Sequence, residues 1–338
     1  MTILVTGGAG YIGSHACLEL LRAGHEVVVV DNLSNSHAEA LDRVQALAAK
    51  TLAFYKTDIR DRAGIDAVFA RHKIDAVMHF AGLKAVGESV AQPLKYYDNN
   101  ITGTVVLLEV MKEHGCRTMV FSSSATVYGD PTSVPIGEDF PLSAVNPYGR
   151  SKLFIEEMLK DLVRAEPGQW DVAILRYFNP SGADPSGQIG EDPNGIPNNL
   201  MPYIAQVAIG KLAEIPVHGS DYPTRDGTGV RDYIHVVDLV LGHLKALEKL
   251  ASHPGLVIYN LGTGQGNSVL EVIDAFSRAS GRRIPFRLGP RRPGDAAECW
   301  ADATRAKEQL GWVATRGLDA MCVDVWAWQK KNPDGFAK

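Results

Sequence analysis

A short apolar strand, Ile3–Val5, runs directly into Thr6-Gly7-Gly8-Ala9-Gly10-Tyr11-Ile12-Gly13, and a helical pattern over Ile12–Ala23 follows at once. Gly7 suits the sharp turn out of the strand. Gly10 allows a backbone to approach a pyrophosphate, and Gly13 allows the helix to pack closely on the sheet. The helix N-terminus then offers free N–H groups and a partial positive charge to phosphates. A glycine cluster alone can be an ordinary tight turn, so the context matters. Val27–Val30 is four consecutive valines, the pattern of a strand buried on both faces. It ends at Asp31, 18 residues after Gly13, where a carboxylate meets the ribose hydroxyls of an adenosine. A carboxylate repels a 2′-phosphate, which favours NAD over NADP. Alone, an aspartate there could simply cap a turn; behind this loop the cofactor reading outweighs it.

The strand-helix alternation continues. Leu52–Lys56, Ala76–Phe80, Met119–Ser122 and Val172–Leu175 read as strands, and Leu41–Ala49, Gly64–Arg71, Leu94–His114 and Tyr148–Arg164 as helices. This predicts an α/β fold: a doubly wound, parallel-sheet, Rossmann-type domain over residues 1–176. Past Arg176 the character changes. Phe178–Pro202 is rich in Gly, Pro, Asn and Asp and reads as a long loop, a kind of segment that tends to be functional. Helices are expected at Val236–Lys249, Val269–Ala279 and Leu318–Lys331. Residues 177–338 are expected to form a smaller mixed α/β lobe that binds substrate, with some elements returning to the first domain.

The formal charge is −5 and no Lys/Arg-rich run occurs, which argues against a nucleic-acid partner. No apolar stretch approaches the roughly 20 residues of a membrane span, and the N-terminus lacks the pattern of a signal peptide. Cys17, Cys116, Cys299 and Cys322 lie far apart without metal-ligand spacing. Free thiols in a reducing cytoplasm, and no metal, are expected.

A second constellation carries chemistry. Tyr148-Gly149-Arg150-Ser151-Lys152 opens a helix after Pro147. Tyr148 and Lys152 are four apart and share one face. An ammonium near a phenol favours the phenolate, a base usable near neutral pH. Ser122-Ser123-Ser124 stands at the carboxyl end of a predicted strand, where open α/β sheets place their ligands. A surface Tyr-Lys pair and turn-capping serines are the plain alternatives.

Together these motifs resemble the extended short-chain dehydrogenase/reductases. Longer segments narrow the resemblance to the UDP-glucose 4-epimerases: His79–Ser89, Tyr96–Asn100, Ser122–Gly129, Arg176–Pro180, Gly195–Pro202 and Gly227–His235. The likeness runs from Ile3 to about Trp328. It implies interconversion of UDP-galactose and UDP-glucose through a 4-keto intermediate, with transient reduction of tightly bound NAD. It also implies a homodimer in which helices corresponding to Leu94–His114 and Tyr148–Arg164 pair across a two-fold axis. Tyr148 would be the base, Lys152 its electrostatic partner and Ser124 the bridge to the sugar 4-hydroxyl. The NAD site would be lined by Gly7, Gly10, Tyr11, Ile12, Gly13, Asp31, Asn32, Asn35, Ser36, Asp58, Ile59, Phe80, Ala81, Gly82, Lys84, Asn99, Ser122, Ser124, Tyr148, Lys152 and Phe178. The UDP-sugar would meet Lys84, Ser124, Tyr148, Phe178, Asn179, Asn199, Leu200, Val217, Arg231, Arg292, Asp295 and Cys299. The arginines also make physical sense, since a diphosphate is well held by permanently charged forks; Arg291 reads as solvated surface charge.

Cys299 falls where this family places a residue beside the carbon 2 substituent of the sugar. A small residue there resembles the members that also accept UDP-N-acetylgalactosamine and UDP-N-acetylglucosamine, because a tyrosine ring would occupy the space of the acetamido group. Another nucleotide-sugar epimerase or a dehydratase of the same family is the first rival function, and two further ones stand beside it. A nucleotide-sugar dehydratase would carry an Asp-Glu pair where this chain has Ala125-Thr126. A non-catalytic NAD-binding sensor would not need Tyr148, Lys152 and Ser124 together. A simple dehydrogenase would release NADH.

Overall fold

The computed structural model describes residues 1–292 and 295–336; Pro293 and Gly294, within the Cys299 segment, lie outside the described residues, as do Ala337 and Lys338. The chain divides into two compact units. The first comprises Met1–Gly129, Leu142–Arg176 and Val240–Tyr259, the second Asp130–Pro141, Tyr177–Leu239 and Asn260–Lys338. The chain thus crosses over at Arg176, lends a short segment to the second unit beforehand, and returns to the first at Val240.

In chain order the first unit supplies β1 (Thr2–Thr6), α1 (Tyr11–Arg22), β2 (Glu26–Asp31), α2 (Glu39–Ala48), β3 (Ala53–Lys56), α3 (Arg62–Arg71), β4 (Ala76–His79), α4 (Val86–Ala91), α5 (Pro93–Tyr97), α6 (Gly103–Glu113), β5 (Thr118–Ser122), α7 (Pro147–Ala165) and β6 (Asp171–Tyr177). Then come β7 (Asn179–Ser181), α8 (Leu200–Ala208), β8 (Ile215–His218), β9 (Val230–His235), α9 (Val236–Leu250), β10 (Leu256–Leu261), β11 (Gly266–Ser268), α10 (Val269–Ser280), β12 (Phe286–Gly289), β13 (Glu298–Cys299), α11 (Thr304–Leu310) and α12 (Leu318–Lys331).

The principal sheet has seven strands in the order β10-β6-β5-β4-β1-β2-β3. From β1 to β3 the chain moves outward on one side; β4 then pairs in parallel with β1 on the other. This reversal between β1 and β4 is the switch point at which such sheets bind ligands, beyond the carboxyl ends of the strands. Leu4, Val28, Val77, Phe121 and Ile174 form the core on which the helices pack. That burial explains the unbroken valines of β2, since both faces of the strand are covered.

Leu94–His114, expected as one helix, is three pieces. Between α5 and α6 lies a π-helical segment, Asp98–Thr102. Its cause is Asn100, whose buried side chain turns inward. The amide oxygen accepts from Leu83 N (2.8 Å), and the amide nitrogen donates to Leu83 O (3.1 Å) and Ser151 Oγ (3.0 Å). Satisfying a buried amide outweighs the regular helical register here. Phe178–Pro202, expected as loop, holds β7 and the start of α8. Pro202 is tolerated because it lies in the first turn of α8, where its missing N–H is no loss.

The second unit is built on β9, which pairs in parallel with β7 and β13 and antiparallel with β11. β8 and β12 form a separate parallel pair. Met201, Ile204, Ile215, Phe276, Met321 and Val325 make its core. α10 starts with a reciprocal cap: Ser268 Oγ accepts from Glu271 N (3.1 Å), and Ser268 N donates to Glu271 Oε2 (2.8 Å). Among the described residues no helix is long and apolar enough to cross a membrane.

Candidate active site

At the end of β1 the chain turns through Gly7 at φ +71°, with Ala9 buried behind it. A Cβ on Gly13 would lie 2.1 Å from Gly7 O and 2.8 Å from Gly8 Cα, so only glycine lets the helix start this close to the loop. α1 begins at Gly10 with no side-chain cap and no acidic residue in its first turn, which leaves its N-terminus to an anion. Asp31 is buried at the end of β2. It accepts from Ala9 N (3.0 Å), Leu33 N (2.9 Å) and Ser36 Oγ (2.8 Å), so it ties the glycine loop to the next turn as well as presenting a carboxylate. Asn32 donates to Asp58 Oδ2 (2.9 Å), and the guanidinium of Arg60 holds the Asp58 carboxyl below the usual range. Ile59 and Ala81 pack with the core, and Gly82 lies against Asn100 and Lys152. Tyr11, Ile12, Phe80 and Asn99 are half-buried, and Asn35 and Lys84 exposed, all in this unit. A glycine cradle, an uncapped helix start and a carboxylate at the second strand fit an NAD-type dinucleotide.

The catalytic candidates come together in the same unit. Asn146 caps α7 through Gly149 N (2.9 Å), with Pro147 in the first turn. Tyr148 and Lys152 are both buried. Burial raises the pKa of the Tyr148 hydroxyl, and the Ser124 side chain lowers it by the smaller amount. Lys152 Nζ donates to Ser122 O (2.8 Å) and stands 4.9 Å from the Phe121 ring centre. Burial lowers its pKa to about 8, against the pull of Glu156. In this arrangement the lysine is fastened to the strand end, and the serine hydroxyl is the group that favours the phenolate. Ser122 Oγ in turn bonds His243 Nε2 (2.7 Å).

In the second unit Arg231 lies on β9 beside Cys299 of β13. Its Nη1 donates to Val230 O (2.9 Å), and its Nη2 stands 3.7 Å from Asp295 Oδ1. Val217 is buried on β8. Next to it, burial and then the charge of Arg292 hold His218 below its ordinary pKa. Cys299 is half-buried, and burial pushes its thiol up to about 11. Asn199 donates to Glu191 Oε1 (2.9 Å) at the start of α8, where Leu200 follows. Phe178 is buried, and Asn179 begins β7.

The chain matches the family model described as GDP-mannose 4,6 dehydratase over residues 4–325. A UDP-glucose 4-epimerase of Bacillus subtilis (strain 168) is 63% identical over 99% of both chains. The chain belongs to the UDP-glucose 4-epimerase family. A crystal structure of a UDP-glucose 4-epimerase from Bifidobacterium longum, in complex with NAD+ and UDP, is 54% identical and superposes with a TM-score of 0.95, covering 99% of this chain and 100% of that one. Another from Stenotrophomonas maltophila, with bound NAD and formylated UDP-arabinopyranose, is 52% identical with a TM-score of 0.96, covering 98% and 99%. Within the family's wider dehydratase-type scaffold, Ala125 and Thr126 stand in the turn after Ser124. Thr126 donates to Ser124 Oγ from both N (3.2 Å) and Oγ1 (3.0 Å), and neither residue offers an ionisable group for elimination of water.

Two residues of this epimerase-family chain, Tyr222 and Asp232, escaped the sequence reading, and Arg291 has more partners than it suggested. Arg291, expected as solvated surface charge, is exposed, but it also lies 4.2 Å over the Tyr222 ring and donates to Asp221 Oδ1 (2.8 Å). The buried Tyr222 hydroxyl has no hydrogen-bond partner among the described residues, beside a group of arginines. Asp232 accepts from Thr263 N (2.9 Å), Gly264 N (3.0 Å) and Ala301 N (3.1 Å), fixing the chain just after Cys299. Only the position of Asp232 next to Arg231 signals it in the sequence.

Proposed function

We propose that this chain is a UDP-glucose 4-epimerase, an isomerase that interconverts UDP-galactose and UDP-glucose, and that it also takes the N-acetylated pair. The observation that carries the reading is the burial of Tyr148, Lys152 and Ser124 together, with Lys152 Nζ tied to Ser122 O (2.8 Å) at the carboxyl end of β5. Gly7, Gly10, Gly13 and Asp31, with Tyr11, Ile12, Asn32, Asn35, Ser36, Asp58, Phe80, Lys84, Asn99 and Phe178, would hold NAD. When bound, NAD supplies hydride acceptance and return at carbon 4, which takes the sugar through a 4-keto form. The chain's own residues manage the proton. Tyr148 takes it from the 4-hydroxyl directly or through Ser124 and returns it to the same oxygen; the positive nicotinamide ring of bound NAD would offset the burial that raises the Tyr148 pKa. Lys152 holds the strand end and contributes positive charge. Arg231 and Arg292 are the forks for the diphosphate, with Asp295, Asn179, Asn199, Leu200 and Val217 around the uridine and sugar. Anchoring at the diphosphate keeps binding remote from the reacting carbon, so the sugar can present either face.

The test is direct. The purified protein carries NAD, converts UDP-galactose to UDP-glucose without releasing NADH, and loses roughly 10²–10⁴ in kcat as Tyr148→Phe, with NAD retained. Absence of conversion, or a Tyr148→Phe enzyme at wild-type speed, overturns the reading.

The chain is also proposed to form a homodimer and to work in the cytoplasm, where its four free cysteines stay reduced. Of the apolar residues on α6, Leu107, Leu108 and Val110 are buried within the chain. Val105 is exposed, however, as are Leu94 on α5 and Phe154 on α7, and the Tyr97 ring sits 6.3 Å from that of Phe154. An apolar surface of this kind suits a second copy. A monomer mass in solution scattering at micromolar concentration refutes it.

A further inference from the structure

Three residues on one face of α7, spaced four apart, reach three consecutive serines. Ser124 is the side chain that lowers the pKa of Tyr148, Lys152 Nζ donates to the Ser122 carbonyl at 2.8 Å, and Glu156 Oε1 accepts from Ser123 Oγ at 2.5 Å. All six residues are buried. The first two pairs are the proposed chemistry; the third has no role there. Glu156 is gripped from the far side by Arg176 of β6, whose Nε donates to Oε1 (3.0 Å) and Oε2 (3.2 Å) and whose Nη2 donates to Oε2 (2.6 Å). Arg176 Nη1 reaches the Tyr128 hydroxyl (3.0 Å), so the guanidinium is anchored too. Ser123 N also donates to Leu175 O (2.8 Å), one residue before Arg176.

A fully buried ion pair is a weak device for stability, because desolvation offsets most of the attraction, and apolar replacements of the same volume are often neutral or better. It is a strong device for fixing orientation, because the bidentate fork leaves the carboxylate one placement. Fixing Ser123 fixes both adjoining residues. A rotation of its peptide would swing the Ser122 carbonyl off Lys152 and the Ser124 hydroxyl off Tyr148 together.

We propose that Glu156, locked by Arg176, is a positioning residue for the epimerisation: through Ser123 it sets the strand end that presents the Ser122 carbonyl to Lys152 and the Ser124 hydroxyl to Tyr148. This rests on the assignment of Tyr148 as the proton-transfer group. The charged and titratable groups around the cluster are Lys152 and Glu156 on α7, Tyr148 at its start, Arg176 on β6, Tyr128 after β5, His243 on α9 and His79 on β4. His79 is held neutral by burial and by the charge of Lys152. The charge of Glu156 raises the pKa of Lys152, against the larger lowering by burial. Removing its charge therefore lowers the pH at which Lys152 loses its proton.

Ser123→Ala removes one oxygen and leaves the Glu156–Arg176 pair intact. It lowers kcat for UDP-galactose tenfold or more, while KM, bound NAD and melting temperature stay near wild type. Glu156→Gln keeps an acceptor for Ser123 but removes the charge, and moves the alkaline limb of the kcat–pH profile to lower pH. Should Glu156→Gln fail to fold, Ser123→Ala decides alone. Unchanged kcat in Ser123→Ala, or a raised KM at constant kcat, overturns the proposal, as does an unmoved alkaline limb in folded Glu156→Gln. An inert wild type, or an active Tyr148→Phe, would instead sink the reading on which the proposal rests. Active wild type, dead Tyr148→Phe and wild-type-like Ser123→Ala sink only the role of Glu156.

Discussion

Gly13→Ala pits two opposed effects against each other. Inside an ordinary helix, alanine in place of glycine is favoured by about 1 kcal/mol. At Gly13 the added methyl would lie 2.1 Å from Gly7 O, 2.8 Å from Gly8 Cα and 2.9 Å from Gly7 C, all backbone atoms that no rotamer change can clear. Overpacking typically costs about 1–3 kcal/mol, and contact with rigid backbone belongs at the upper end. The balance is a loss of about 2 kcal/mol. At about 2–4 °C per kcal/mol for units of this size, the melting temperature falls by about 4–8 °C. The loop must also move off the start of α1, so bound NAD is lost. Gly87, in α4, is the matched control, because a Cβ there meets nothing within 4 Å. Calorimetry and the ratio of absorbance at 260 to 280 nm, read on both variants, give the answer. A Gly13→Ala protein that melts at or above the wild-type temperature and keeps its NAD refutes the argument.

Asp31→Ala removes both the carboxylate and the bond to Ala9 N, so NAD binding weakens and discrimination against NADP shrinks; wild-type protein purified with NADP would contradict this. Cys299→Tyr fills space beside Arg231 and selectively slows UDP-N-acetylgalactosamine. Overlap costing about 1–3 kcal/mol corresponds to tenfold or more. An unchanged ratio of the two sugars, or wild-type inactivity on the acetylated one, removes Cys299 from that role. Arg231→Met weakens the hold on the diphosphate and raises KM for UDP-galactose tenfold or more, with bound NAD unchanged; an unaltered KM removes the fork.

What the sequence made legible was local. The glycine loop, the valine strand ending at Asp31 and the four-residue spacing of Tyr148 and Lys152 each depend on neighbours in the chain, and the fold follows from their order. What it concealed depends on distant partners. The π segment at Asp98–Thr102 exists because Asn100 bonds Leu83 and Ser151, and apolar periodicity carries no trace of that. β10 was not anticipated, because a sheet position offered by β6 is a property of the folded unit. Glu156 reads as one more polar residue on a helix until Arg176 and Ser123 are brought to it. Spacing put Lys152 on the face of Tyr148, but it could not reveal that its Nζ is bonded to the Ser122 carbonyl.

The crossing of the chain at Arg176 and its return at Val240 set an order of assembly during translation. A ribosome completes β1 to β6 long before it makes α9 and β10, so the nascent sheet waits with an open edge beside β6. The hydroxyl of Ser122 waits as well, since its partner His243 comes 121 residues later. The first unit closes only after much of the second has left the exit tunnel, so fragments ending anywhere between Arg176 and Tyr259 should expose that edge and depend on chaperones. The two units are born interleaved, and neither can be cut out at a single point in the chain.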